Sequence, residues 1–427
     1  MQSPFSDSEL ARLRADFPIL SRTGRGGKPI VYLDAAATSQ KPRSVIEAEN
    51  CFYGNSNGAV HRGTHLLADE SSQYFEDARC VLASFIGANP SEIVWTKNAT
   101  EALNLLAYTL SNPGIDGGKP LIGKGDRVVT TRAEHHANLV PWQLLSQRTG
   151  CEFAYLDLDD EGRIDLETLN VITANTKVVA VTHASNVSGA ITDIAPIIQA
   201  AHAVGAWVVL DTCQSSAHMP LDIKALGADF ACFSGHKMAG PTGIGALYGR
   251  QELLEQLPPF LAGGSMIADV TMDKTTFQPV PERFEAGSQA VAQIHAWAVA
   301  LDYLQKVGME RIRQHELFLT QYLLEGLAGV KGLRLLGPTD YRERVGLAAF
   351  DFFGIHPHDV GQVLDAEDVA IRVGHHCALP LHAHYGLRSS CRASISLTSS
   401  REDINRLIDG LETVRSFFKR GNNGFGS

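Results

Sequence analysis

Ser234-Gly-His-Lys237 runs almost at once into Gly240-Pro-Thr-Gly-Ile-Gly245, and the rest of the chain can be read outward from there. Just before it, Asp229-Phe-Ala-Cys-Phe233 is apolar and β-tolerant, which predicts a short buried strand. Lys237 then falls just past a strand's carboxyl end, where open α/β sheets bind their ligands. The glycines and Pro241 exclude an ordinary helix and call for a tight turn. A lysine held on such an edge is suited to Schiff-base chemistry. On this stretch alone, a surface lysine in a glycine-rich loop is an equally good reading.

Upstream, strand and helix signals alternate. Arg127-Val-Val-Thr130, Lys177-Val-Val-Ala-Val181 and Ala206-Trp-Val-Val-Leu210 read as strands, and residues 196–204 as a helix. Residues 8–17 and 74–85 also carry helical spacing, while Ile30-Val-Tyr-Leu33 reads as a strand. This is the pattern of an α/β fold with a mostly parallel sheet. Ile93-Val-Trp95 leads through Thr96-Lys-Asn-Ala-Thr-Glu101 into a helix with Leu103, Leu106 and Leu110 on one face. Strand, polar turn and helix in that order point free N–H groups at an anion such as phosphate, although a threonine there can equally be a cap. Asp211 closes an apolar strand, and a buried acid needs a basic partner. His135, in Glu134-His-His-Ala-Asn138, also follows a strand, where an imidazole can stack on a ring or hydrogen-bond in the core.

After Gly249 the rhythm changes. Residues 251–290 read as a Pro/Gly-rich connection, followed by helices over 290–304 and on through 322, then a smaller α/β part. The last helix is expected to open on a capping box, Ser399-x-x-Glu402, and residues 421–427 to form a disordered tail.

Composition narrows the class. A chain of 427 residues, 44% hydrophobic and 20% charged, is an ordinary globular protein of about two domains. A formal charge of -10 argues against a nucleic-acid or anionic-membrane partner. No apolar run reaches membrane-spanning length, and the polar N-terminus does not read as a signal peptide. Seven cysteines, an odd number with no Cys-x-x-Cys, argue against a disulfide framework or zinc ribbon and for a reducing, cytoplasmic setting.

Taken together, the chain resembles one family: cysteine desulfurases of the Suf-type group, pyridoxal-phosphate enzymes of fold type I. The resemblance rests on Tyr32-Leu-Asp-Ala-Ala-Ala-Thr38, Val60-His-Arg-Gly63, Glu134-His-His-Ala-Asn138, Ser185-Asn-Val187, Ser234-Gly-His-Lys237, Phe284-Glu-Ala-Gly287, Arg372-Val-Gly-His-His-Cys-Ala-Leu-Pro380 and Cys391-Arg-Ala-Ser394. It implies a large, mostly parallel seven-stranded domain over 30–290 and a smaller C-terminal α/β domain from 1–29 and 291–420. It further implies that Lys237 carries pyridoxal 5′-phosphate and Asp211 pairs with its ring nitrogen. His135 would stack on the ring, with Asn186 and Gln214 near the phenolic oxygen. Ala99, Thr100, Ser234 and His236 would hold the phosphate, with Ser288 of a partner subunit in a homodimer. Arg392, with Arg372 and Asn186 nearby, would bind the carboxylate of L-cysteine. Cys377 would be the nucleophile that takes the sulfur, in an electropositive setting of Arg372, His375 and His376, and pass it to a dedicated acceptor protein for iron-sulfur cluster assembly.

The chain departs from the family pattern at three places. Thr212-Cys213 stands for the usual Gly-Ala, Asn98-Ala99 for Gly-Thr, and Ser288-Gln-Ala290 for Thr-Pro-Asn. Other readings remain on the residues alone. A selenocysteine lyase or another pyridoxal-phosphate β-lyase would use the same lysine, acid and arginine. A zinc protein could draw on His375, His376, Cys377, His382, His384 and Cys391, although no paired spacing supports it. A relative that only binds partners is disfavoured by intact Lys237, Asp211 and Cys377.

Overall fold

Val, Ile and Ala runs with few polar interruptions build the central sheet. The structure, a computed structural model, describes residues 3–114 and 117–422. Seven strands lie in the order Ile93–Thr96, Gly245–Gly249, Phe230–Ser234, Trp207–Asp211, Thr176–Thr182, Arg127–Thr131 and Glu152–Leu156. Gly245–Gly249 runs antiparallel to both its neighbours, and the remaining pairs are parallel. The mostly parallel seven-stranded expectation therefore holds.

Both faces of this sheet are covered, as a parallel sheet requires. Val178, Ala180 and Val209 pack on one side with Leu103, Leu106 and Trp142. Val179, Val181, Val208 and Leu210 pack on the other with Phe75, Leu82 and Trp297. The helix Val291–Val307, grouped by sequence with the smaller part, belongs to this second layer through Val291, Trp297 and Leu301.

A four-stranded antiparallel sheet, in the order Leu333–Leu336, Leu347–Phe352, Ser390–Ser394 and Arg372–Gly374, forms a separate core with Leu323, Leu407 and Leu411. The early strand Val31–Tyr32 pairs in parallel with Val369–Ala370 and packs into this second core. Residues 251–290 are more structured than a connection: they contain the short helix Gln251–Leu254 and a hairpin of Ile267–Val270 with Thr275–Phe277.

The last helix, Arg401–Asn422, starts one residue later than expected. Its reciprocal cap is Ser400 with Asp403: Ser400 Oγ accepts from the Asp403 N–H at 3.2 Å, and the Ser400 N–H donates back to Asp403 at 2.8 Å. Ser399 instead turns back to accept the Ser396 N–H. Gly421 and Asn422 belong to this helix rather than to a tail, and residues 423–427 lie outside the described part.

Candidate active site

Four of the seven strands deliver the site from one end of the sheet. Asp211 is the last residue of Trp207–Asp211, Ser234 of Phe230–Ser234 and Thr182 of Thr176–Thr182, while Asn98 follows Ile93–Thr96. Lys237 closes a single 3₁₀ turn, Gly235–Lys237, immediately after its strand. These groups line one cleft of about 190 Å³ with Ala99, Thr100, His135, Asn186, Gln214, His236, Arg372 and Arg392. Every cofactor and substrate residue expected from sequence is in it except Ser288. That serine is exposed and lines a different cleft beside Trp95 and Gln289.

The close approach of helix and strand depends on Gly245. A Cβ there would lie 2.5 Å from the Asn98 Cα and 2.5 Å from the Phe233 carbonyl, so any side chain would push them apart. With that gap closed, the helix Ala99–Ser111 begins against the end of Phe230–Ser234. Asn98 caps it by accepting the Glu101 N–H at 2.9 Å, and the Ala99 N–H donates to Ser234 Oγ at 3.0 Å. Two of the expected phosphate-holding residues are thus already in contact. The substitution Asn98-Ala99 for Gly-Thr leaves a capped N-terminus facing the cleft.

His135 is held from below by a buried network. Glu134 accepts from Thr131 Oγ1 at 2.7 Å, the Thr182 N–H at 2.8 Å and Asn138 Nδ2 at 2.6 Å. Burial pushes its carboxyl up to about 8 against these three donors. His135 Nδ1 accepts the Ala137 N–H at 3.1 Å, which places the ring proton on Nε2. Burial, with Lys237 nearby, holds this imidazole down at about 4, so it is neutral and free to stack.

Asp211 is 5% exposed, accepts the Cys213 N–H at 3.0 Å, and among the described residues has no cationic partner. Asn186 donates Nδ2 to the His376 carbonyl at 2.6 Å, and its Oδ1 is buried with no partner. Arg392 is 1% exposed; it donates to the Asn186 carbonyl at 2.9 Å and to Asp34 at 3.2 Å, while its Nε has no partner. Burial lowers Arg392 to about 10, still cationic at neutral pH. A buried carboxylate awaiting a proton donor, an amide oxygen and a guanidinium edge in one cleft suit a pyridinium ring and an amino-acid carboxylate. The residues fit pyridoxal 5′-phosphate.

Gln214 is anchored by donating to the Ala36 carbonyl at 2.9 Å. Thr212 donates to the Cys232 carbonyl at 2.7 Å, and Cys213 lies 3.8 Å from Ser234 Oγ. The Thr212-Cys213 departure therefore tightens the strand ends without removing a group from the cleft.

Cys377 is half-buried on the turn between the strand Arg372–Gly374 and the helix Leu379–His384, next to His376, which lines the cleft. The electropositive role expected of His376 does not hold. It is buried, bonds Ser390 Oγ at 3.1 Å, and burial with Arg392 nearby holds it down at about 2, so it is neutral. Three of the six residues of the zinc reading are engaged elsewhere. His382 bonds the Ala378 carbonyl and Ser390, His384 bonds the Asp159 carbonyl, and Cys391 packs at the Pro357 carbonyl.

Three contributors were missed by sequence reasoning. Asp34 meets Arg392, although it lies inside a stretch that carried the resemblance. Lys41 donates to the carbonyl of His236, beside Lys237. His136 sits against the Cys377 turn, and the adjacent pair His135-His136 gave no signal to separate their tasks.

Comparison with known proteins agrees with this geometry. The model of the aminotransferase class-V family matches residues 31–407, and the chain belongs to that family. It is 47% identical over 412 residues to probable cysteine desulfurase 2 of Mycobacterium leprae, covering 96% of this chain and 98% of that one. A probable cysteine desulfurase of Streptomyces coelicolor is 49% identical over 408 residues, covering 95% and 97%. The apo structure of a cysteine desulfurase from Thermococcus onnurineus superposes with a TM-score of 0.89 at 36% identity, covering 97% and 99%. The fold is that of fold type I pyridoxal-phosphate enzymes.

Proposed function

We propose that the chain is a cysteine desulfurase: it converts L-cysteine to L-alanine and keeps the sulfur as a persulfide on Cys377. The observation that carries this reading is the meeting of Lys237, Asp211 and Arg392 in one cleft whose wall continues through His376 into the Cys377 turn. When bound, pyridoxal 5′-phosphate supplies an electron sink for removal of an amino acid's α-proton. Lys237 Nζ would carry it and move that proton. Asp211 would keep the ring nitrogen protonated, and neutral His135 would stack on the ring. Asn186 and Gln214 would serve the phenolic oxygen, while Ala99, Thr100, Ser234 and His236 would hold the phosphate. Arg392, assisted by Arg372, orients the substrate carboxylate.

Cys377 Sγ then attacks the sulfur of the substrate. The carbon–sulfur bond breaks and a sulfur–sulfur bond forms. The carbon keeps the electron pair and takes a proton to become the methyl group of alanine, so cysteine and Cys377–SH yield alanine and Cys377–S–SH. Incubating the purified, cofactor-loaded protein with L-cysteine should give alanine together with one added sulfur on the Cys377 peptide; alanine formation without that sulfur overturns the reading.

The working form is a homodimer in which Ser288 completes the partner's phosphate site. Supporting this, Ser288 is exposed, and the segment before it is pinned by Glu285, which accepts two bonds from buried Arg79 at 2.8 and 2.9 Å. Sedimentation should show a dimer under assay conditions, and a fully active monomer would contradict it. A cytoplasmic setting is supported by seven free thiols, and no helix among the described residues is long and apolar enough to cross a membrane. The short turn that carries Cys377 gives a persulfide little reach, which supports a dedicated sulfur-accepting protein; delivery to iron-sulfur cluster assembly is part of the same proposal.

A further inference from the structure

The Cys377 turn is held in an unfavourable backbone conformation. His376 has φ 50° and Cys377 has φ 56°, two consecutive non-glycine residues in the left-handed region. Such pairs persist only where surrounding contacts over-determine them.

Two of those contacts come from one residue, His136. The His136 N–H donates to the Cys377 carbonyl at 2.6 Å, and His136 Nε2 accepts the Leu379 N–H at 3.0 Å. His136 therefore grips the turn on both sides of the Cα of Ala378, once with its backbone and once with its ring. Two further bonds help: Asn186 Nδ2 to the His376 carbonyl at 2.6 Å, and the Cys377 N–H to His375 Nδ1 at 3.0 Å. A ring nitrogen of His136, one of His375 and Cys377 Sγ all lie within 4.8 Å of one another. The backbone N–H groups occupy one lone pair on each ring, which fits these imidazoles as hydrogen-bond acceptors for the turn rather than as metal ligands.

We infer that His136 is a positioning residue for Cys377, clamping the strained turn so that Sγ is held toward the cleft. This rests on the reading of Cys377 as the sulfur-accepting nucleophile. Nothing about substrate binding should need the clamp, because Arg392 and Asp211 are held by other partners. The ring must stay neutral to accept, and partial burial, with His375 nearby, keeps its pKa below the ordinary histidine range. A glutamine can reach as far as Nε2 and still accept, whereas leucine cannot.

The test uses the cofactor-loaded enzyme with His136→Leu and His136→Gln. In His136→Leu, the single-turnover rate of sulfur transfer to Cys377 should fall about tenfold. The cysteine concentration that half-saturates the spectral change should stay within about twofold of wild type. Amide exchange at Leu379 should speed up about tenfold, and His136→Gln should restore most of both effects. Wild-type transfer by His136→Leu, or equal loss in both variants accompanied by weakened cysteine binding, overturns the inference. If neither variant folds, exchange in the wild-type enzyme decides: a Leu379 amide as fast as an open-chain amide overturns it, and a protected one supports it. Should wild-type Cys377 gain no sulfur, the reading of Cys377 as nucleophile fails, while the exchange data still judge the clamp by themselves.

Discussion

Lys41 places its amine 3.1 Å from the carbonyl of His236, the residue just before Lys237. The same carbonyl also accepts the Ser39 N–H at 3.0 Å, Ser39 Oγ at 2.9 Å and Thr38 Oγ1 at 3.2 Å. The peptide leading into Lys237 is thus held by an entire polar loop. Burial lowers the Lys41 amine to about 8, and no carboxylate pairs with it among the described residues. Lys41→Met should leave the fold intact but weaken cofactor retention about tenfold, the scale of one charge-assisted hydrogen bond. Cofactor release on dilution, followed by the borohydride-reducible absorbance, measures it; unchanged retention would make the contact incidental.

Asp211→Asn replaces the one buried acid at the strand end with a neutral amide of the same shape. Turnover should drop by about two orders of magnitude, because electrostatic stabilisation at the reacting ring is lost. The melting temperature should change little. Near-normal turnover would assign Asp211 a structural task.

Cys377→Ser should still bind cofactor and still respond spectrally to cysteine, since neither step uses the thiol. It should make almost no alanine, because a serine hydroxyl is far less ionised than a thiol. Cys391→Ser serves as the contrast. Cys391 is fully buried, and burial drives its thiol well above the usual range, so it is a packing group and its serine variant should turn over normally. Sulfur found on Cys391 after one turnover is the result that would reverse these assignments.

Acid should destabilise the fold. His135, His183 and His236 are each held down at about 4 and His376 at about 2, chiefly by burial, against an ordinary 6.5. Between about pH 4 and 6.5 the unfolded chain takes up protons on these rings that the folded chain refuses, so stability rises with pH across that window. Glu134 works the other way, keeping a proton up to about 8 that the unfolded chain releases near 4.5. Four rings outweigh one carboxyl. Urea midpoints should therefore fall between pH 7 and pH 4.5, and a flat profile would show that the rings are not buried as described.

The alternation of Val-rich strands with helices made the main sheet legible, and the strand-end positions of Asp211, Ser234 and Lys237 followed from it. Roles along the cleft needed the resemblance as well, because no spacing tells His135 from His136. What could not be read depended on distant contacts. Asp34 meets Arg392 and Lys41 meets His236 only after the chain folds back on itself. The charge of His376 was misjudged because its burial beside Ser390 comes from packing, not from its neighbours in sequence. Ser399 and Ser400 offer equally good capping patterns, and only the helix's packing chooses between them.

The strand Val31–Tyr32 lies beside Val369–Ala370, and Arg14 pairs with Asp403 at 2.6 Å. This joins segments far apart along the chain, with consequences for the timing of synthesis. At about 5–20 residues per second, the Val31 strand waits on the order of half a minute before its partner leaves the ribosome. Meanwhile the seven-stranded sheet can form, but the cleft cannot close, because Arg392 and Cys377 have not yet emerged. A nascent chain stalled near residue 350 should therefore hold a folded sheet bearing Lys237 and Asp211, covered by the helix Val291–Val307, but without Arg392 and Cys377. The topology keeps a half-made enzyme silent.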